Sequence, residues 1–188
     1  MPVGVIMDFA EGDAAAYDRV LERMQLNGRL ADGSLFHAAG PYEGGWRVVD
    51  VWEDRAQFER FAQEQIGPHA GAEGLGRPEM EFVEADETFD ERAGGTGDVS
   101  LLQIVRLPVS GETFRDADSD IRDNQQPPDG CMFHINGPSG DGWIVIDAWT
   151  DAAARDAFIG SKVVPAMQAR DLAPPVIEDL AIHNTLAP

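Results

Sequence analysis

The sequence predicts an α+β chain made of two copies of one βαββαβ unit, and three observations point to it. The passage LFHAAGPYEGGWRVVDVW at 35–52 returns as MFHINGPSGDGWIVIDAW at 132–149. The match also extends to both sides at one spacing. The step of 97 that takes His37 to His134 takes Tyr17 to Phe114, Phe61 to Phe158, Pro68 to Pro165 and Glu81 to Glu178. A constant step over such a length marks a tandem duplication. Third, strand-like and helix-like apolar periodicities follow one another in the same order in each copy.

The elements are read in order along the first copy. VGVIMDF (3–9) is a short β-type run. In DAAAYDRVLERMQL (13–26), Tyr17, Val20, Leu21 and Met24 form one helical stripe, with Asp13 placed to cap it. Runs 34–39 and 46–52 form a hairpin through Gly40-Pro41 and Gly44-Gly45, with a loop longer than two residues. EDRAQFERFAQEQI (53–66) reads as a second helix and PEMEFVEAD (78–86) as a last strand. The second copy repeats this plan with a thinner first helix, where Asp118 stands at the place of Leu21. The order is that of a ferredoxin-like split βαβ unit.

The expected organisation is one unit over 1–89, a polar, glycine-rich linker over 90–99, and a second unit over 100–188. Helices cover only one face of such a sheet, so the other face needs a partner. A tandem copy supplies one, which gives a pseudo-dimer with its sheets facing inside one polypeptide, and a monomer or weak homodimer in solution.

Composition narrows the function. A formal net charge of −20 repels phosphate backbones and anionic lipid, which excludes nucleic-acid binding as the default. No apolar run approaches the ~20 residues that cross a bilayer, and the first residues lack the pattern of a secretory signal. A cytoplasmic protein without membrane contact is expected. The single cysteine, Cys131, opens an apolar run and reads as a small buried hydrophobe. Asp116, Asp118 and Asp120 suggest a calcium loop, but Ile121 and Pro127 stand where such a loop needs Gly and Glu. No metal site is expected.

VVDVWEDRAQFERF (48–61) combines a strand ending in Trp, an acidic residue and an amphipathic, Phe-containing helix. In this the chain resembles the dimeric α/β-barrel superfamily, and within it the antibiotic-biosynthesis-monooxygenase-like group. The resemblance implies an intramolecular dimeric α/β-barrel with a substrate cavity between sheet and helices, and Trp52 and Trp149 in or near it. It also implies a choice among cofactor-independent oxygenases, haem-degrading enzymes, cyclases and isomerases. The haem-degrading members use an Asn on the first strand and a His on the second helix. This chain has Met7 or Ile104 and Ala62 or Ile159 there, so no cofactor is expected.

Alternation puts Trp46, Val48, Asp50 and Trp52 on one face of the third strand, with Trp143, Val145, Asp147 and Trp149 as counterparts. A carboxylate on a face directed at helices needs a partner. His37 and His134, on the neighbouring strands, are the candidates if the register brings them beside Asp50 and Asp147. Such a pair orients the imidazole for proton transfer, or simply clips two strands together. The four tryptophans serve packing or ligand stacking. The expected function is a cofactor-independent enzyme, monooxygenase- or cyclase-like, acting on a small apolar or aromatic molecule. The alternative is a non-catalytic ligand-binding or accessory protein.

Overall fold

The computed structural model describes residues 1–92, 99–121 and 127–188; most of the linker expected at 90–99 lies outside them. The first copy forms β1 (Val3–Phe9), α1 (Ala14–Met24), β2 (Ser34–Tyr42), β3 (Gly45–Trp52), α2 (Arg55–Phe61), α3 (Gly67–Ala72), β4 (Glu79–Glu84) and β5 (Glu87–Asp90). The second forms β6 (Leu101–Leu107), α4 (Gly111–Ile121), β7 (Cys131–Ser139), β8 (Gly142–Trp149), α5 (Ala152–Phe158), α6 (Val164–Ala169), β9 (Val176–Ala181) and β10 (Asn184–Thr185).

Local chemistry sets these limits. Asp13 accepts from the Ala16 N–H at 2.7 Å and caps α1, while Asp54 and Asp151, at matched positions, each accept at 2.9 Å and cap α2 and α5. A π-helical turn, Ala62–Ile66 or Ile159–Val163, joins α2 to α3 and α5 to α6. Pro68 or Pro165 follows each turn. Proline has no N–H for the ladder and crowds the carbonyl four residues back, so the widened turn opens the ladder where the ring must fit.

The hairpins are tighter than the sequence suggests. Strands run through Gly40-Pro41 and Gly137-Pro138 until Tyr42 faces Gly45 and Ser139 faces Gly142, leaving two-residue loops. Gly44 and Gly45, at φ 148° and 143°, supply the conformations that this sharp reversal needs.

Two antiparallel five-stranded sheets result, in the orders β10-β2-β3-β1-β4 and β5-β7-β8-β6-β9. Four adjacent strands of each, β2-β3-β1-β4 and β7-β8-β6-β9, have the ferredoxin-like order. The fifth is unexpected: β5, which ends the first copy, pairs with β7, and β10, which ends the second, pairs with β2. One compact unit therefore contains Met1–Glu84 and Leu180–Pro188, and the other contains residues 85–92 and 99–179 among those described. These units differ from a division after residue 89 by their tails.

The uninterrupted spacing of 97 also needs a correction. Val3 faces Trp52 and Leu101 faces Trp149, so the first strands match at a step of 98. The loop between β6 and α4 is one residue shorter than that between β1 and α1. Met7 thus corresponds to Val105, Val5 to Gln103 and Phe9 to Leu107; Ile104 lies on the opposite face.

Candidate functional site

The sheet face carrying Trp46, Val48 and Trp52 packs with Tyr17, Val20 and Phe58 of the helices, as alternation along β3 requires. On that face the register sets His37 directly opposite Asp50, and a bulge between Ser34 and Phe36 absorbs the slack at the strand start. His37 Nδ1 lies 2.7 Å from Asp50 Oδ1, with both residues buried. An ionised carboxylate only accepts, so Nδ1 carries the proton. Nε2 then accepts from the Tyr17 hydroxyl at 2.6 Å, and Asn184 Nδ2 donates to that oxygen at 3.0 Å. Burial, together with the nearby Asp50 charge, holds the Tyr17 pKa well above its ordinary value, against a smaller lowering by Asn184. Tyr17 remains a hydroxyl, and this chain of donors ends on Asp50.

The second unit repeats the central bond and changes everything beside it. His134 faces Asp147, with Nδ1 2.7 Å from Oδ1. Phe114 stands where Tyr17 would be and has no hydroxyl. Asn136, at the place of Ala39, donates from Nδ2 to His134 Nε2 at 2.8 Å instead. Trp143 Nε1 donates to Asn136 Oδ1 at 3.2 Å; an indole N–H can only donate, which fixes the amide's orientation. Cys131 Sγ lies 3.8 Å from Asp147 Oδ1, and Phe89 stacks on the imidazole at 5.1 Å. In both units a threonine of the tail strand ties down the histidine backbone: Thr185 to His37 O at 2.7 Å and Thr88 to His134 O at 2.8 Å.

The space around the two pairs differs by nearly an order of magnitude. Beside His37 and Asp50 the cavity between sheet and helices is about 50 Å³, room for a few waters at most. Beside His134 and Asp147 it is about 430 Å³, within the range that takes a small organic ligand. Side-chain size explains much of this. Val20, Leu21, Met7 and Phe9 of the first unit become Ala117, Asp118, Val105 and Leu107 in the second.

A further exchange changes the cavity's chemistry. In the first unit Phe58, 1% exposed, packs on Trp52 at 6.0 Å and on Phe82 at 5.6 Å, and Val5 lies in the same core. Their counterparts are Arg155, Asp179 and Gln103. Arg155 Nη1 donates to the Asp179 carboxylate at 2.7 Å, and Gln103 Nε2 donates to Asp179 Oδ1 at 3.3 Å. Gln103 is 1% exposed and lines the cavity, and its Oε1 has no hydrogen-bond partner among the described residues. Such an orphan costs about 1–3 kcal/mol.

The sequence-predicted residues thus divide. His37 meets Asp50, His134 meets Asp147, and only the second pair stands at a roomy cavity. Trp52 lines the small first cavity, while Trp46, Trp143 and Trp149 line neither and are buried. Tyr17, Asn184, Asn136 and the Gln103–Asp179–Arg155 row were not singled out by the sequence reading. Comparison of the copies offers a signal for the last: Phe58 and Phe82 are matched by Arg155 and Asp179, an apolar pair exchanged for an ion pair. Gln103 was hidden because the uniform step aligns it with Ile6. No group of three or more His, Cys, Asp or Glu among the described residues could hold a metal ion. None of their helices is long and apolar enough to cross a membrane.

No family model matches the chain, and no curated protein does. Solved structures do. A presumed monooxygenase of Fusobacterium nucleatum subsp. nucleatum is 14% identical with a TM-score of 0.74, over 99% of this chain and 94% of that one. A presumed monooxygenase of Lactobacillus acidophilus is 13% identical with a TM-score of 0.73, over 99% and 96%. An anthrone oxidase-like protein is 16% identical with a TM-score of 0.52, over 99% and 93%. At such identities likeness reports architecture, and site chemistry has to be argued from the residues themselves. The chain has the fold of these structures, in two tandem ferredoxin-like units.

Proposed function

We propose that the second unit binds a small, largely apolar or aromatic molecule beside His134, and that the first unit is its filled structural counterpart. The observation that carries this reading is the contrast of about 430 Å³ with about 50 Å³ at equivalent positions. The chain then acts as a cofactor-independent enzyme of the monooxygenase or cyclase kind. Its first step is proton transfer. Asp147 holds the Nδ1–H, so Nε2 is the basic atom, and the same carboxylate balances the charge when Nε2 takes a proton. The proton leaves a C–H or O–H of the ligand, whose electron pair stays on the ligand. With an activated methylene, dioxygen is the oxidant: one oxygen atom ends on the carbon and the other leaves as water, balancing the two C–H bonds lost.

Asn136 must release Nε2 for this to happen, since the two atoms are hydrogen-bonded at 2.8 Å. That bond favours a second reading, a non-catalytic ligand-binding protein in which both histidines are structural clips. Oxygen uptake with anthrone as probe separates the two. The enzyme reading expects uptake above the buffer rate, lost in His134→Gln and kept in His37→Gln. Anthrone binding without uptake leaves the second reading, and no binding by wild type ends both. Ala117→Leu, which restores bulk to the wall, is expected to abolish binding without unfolding the protein.

A further inference from the structure

Resting on that reading of the second cavity, we infer that it selects a non-anionic aromatic ligand carrying an O–H or N–H donor, and that Gln103 Oε1 receives that donor. Four observations lead there. Gln103 lines the cavity and is 1% exposed, deep enough that its polar atoms need partners. Its amide cannot turn over freely: Asp179 Oδ1, an acceptor, lies 3.3 Å from Nε2, so the nitrogen faces the carboxylate and the oxygen is left over. That oxygen has no partner among the described residues. The unit whose cavity is closed has Val5 at this position, so the polar group is not a requirement of the fold.

The rest of the lining sets the sign of charge. Glu87, Glu91, Asp118 and Asp147 line this cavity, and no Lys or Arg does among the described residues. Arg155 is engaged by Asp179 on the outer side of Gln103. A ligand carboxylate would meet like charge and no Lys or Arg among the described lining residues, whereas a hydroxyl, amine or heterocyclic N–H meets acceptors. Size follows from the sheet. Gln103 faces Asp147 and Asp147 faces His134 across three neighbouring strands. At about 4.8 Å per strand, His134 and Gln103 stand roughly 10 Å apart, the reach of a fused-ring ligand with a donor at one end.

The test compares 2-naphthol, 2-methoxynaphthalene and 2-naphthoate by titration calorimetry on the full chain and on Gln103→Leu. Wild type is expected to prefer the naphthol to its methyl ether by about three- to tenfold, the worth of one neutral hydrogen bond, and to reject the naphthoate. Gln103→Leu is expected to bind both neutral probes with the preference gone. Should that variant not fold, Gln103→Met replaces it. Equal wild-type affinity for naphthol and ether, a preference that survives removal of the amide, or tight naphthoate binding overturns the inference while leaving the cavity reading in place. If none of the three binds, the cavity reading falls and takes this inference with it.

Discussion

The two units place a histidine and an aspartate 2.7 Å apart at matched positions, yet they complete the imidazole differently. In the first, a tyrosine from the helix donates to Nε2; in the second, an asparagine from the histidine's own strand does so. The substitutions are coupled, with Tyr17 and Ala39 on one side and Phe114 and Asn136 on the other. Both solutions protonate Nδ1 and occupy Nε2. The paired carboxylate therefore does not by itself distinguish a reactive site from a strand clip. The distinction lies in the surroundings: the first histidine sits in a packed core and the second at a cavity wall.

The tails show the same divergence. His183 Nε2 lies 3.0 Å from Asp18 Oδ1 in the first unit, and Arg115 Nη2 donates to Asp86 Oδ1 at 2.7 Å in the second. Positions 18 and 115 correspond, as do 183 and 86, so the polarity of the clip is reversed. Exchanging the tails would set Asp86 against Asp18 and His183 against Arg115. Each pairing thus discriminates against the wrong tail.

The comparison can be broken most strongly at the second helix. Phe58→Ala, in a closed core, is expected to cost about 3–5 kcal/mol in urea unfolding. Arg155→Ala, at the matched, partly exposed position, is expected to cost about 1 kcal/mol or less. Comparable costs would mean that the second unit is packed as tightly as the first.

A smaller effect tests the coupled substitutions. Tyr17→Phe strands His37 Nε2 and Asn184 Nδ2 and is expected to cost about 1–3 kcal/mol. Adding Ala39→Asn should recover much of that, because Trp46 Nε1, buried with no hydrogen-bond partner among the described residues, is placed to orient the new amide as Trp143 orients Asn136. No recovery would mean that the two arrangements are not interchangeable. Tyr17 also gives a pH signature. Its folded pKa lies above the unfolded value near 10, so its contribution is complete below about pH 10 and is lost as pH rises beyond it. The difference in stability between wild type and Tyr17→Phe should therefore shrink in that window, and a constant difference up to pH 11 would contradict the burial assigned to the hydroxyl.

The smallest effect belongs to the tail clip. Arg115→Ala removes an exposed ion pair and should change global stability by under about 1 kcal/mol, while hastening hydrogen exchange along β5. Unchanged exchange there would leave the clip without a role.

Much of this architecture was legible in the residues. Repetition and periodicity gave the duplicated unit, and alternation along β3 gave the face that carries Asp50 and Trp52. The register beside His37 was not legible, because a slip of one residue costs nothing in sequence pattern and reverses every side chain. The tail strands were missed because ETFD and NT are too short and polar to announce themselves as β structure. Gln103 was missed because a one-residue difference in loop length moves a strand by one step and puts its side chains on the other face in any gap-free alignment. The cavity could not be read from any single position, since its volume is the sum of several modest truncations along β6 and α4.

A crystal of the full chain soaked with 2-naphthol tests the division of labour most directly. The account requires density for the probe beside His134 and Gln103, with the space beside His37 left to water or packed side chains. Probe density beside His37, or equal occupancy at both histidines, would contradict it.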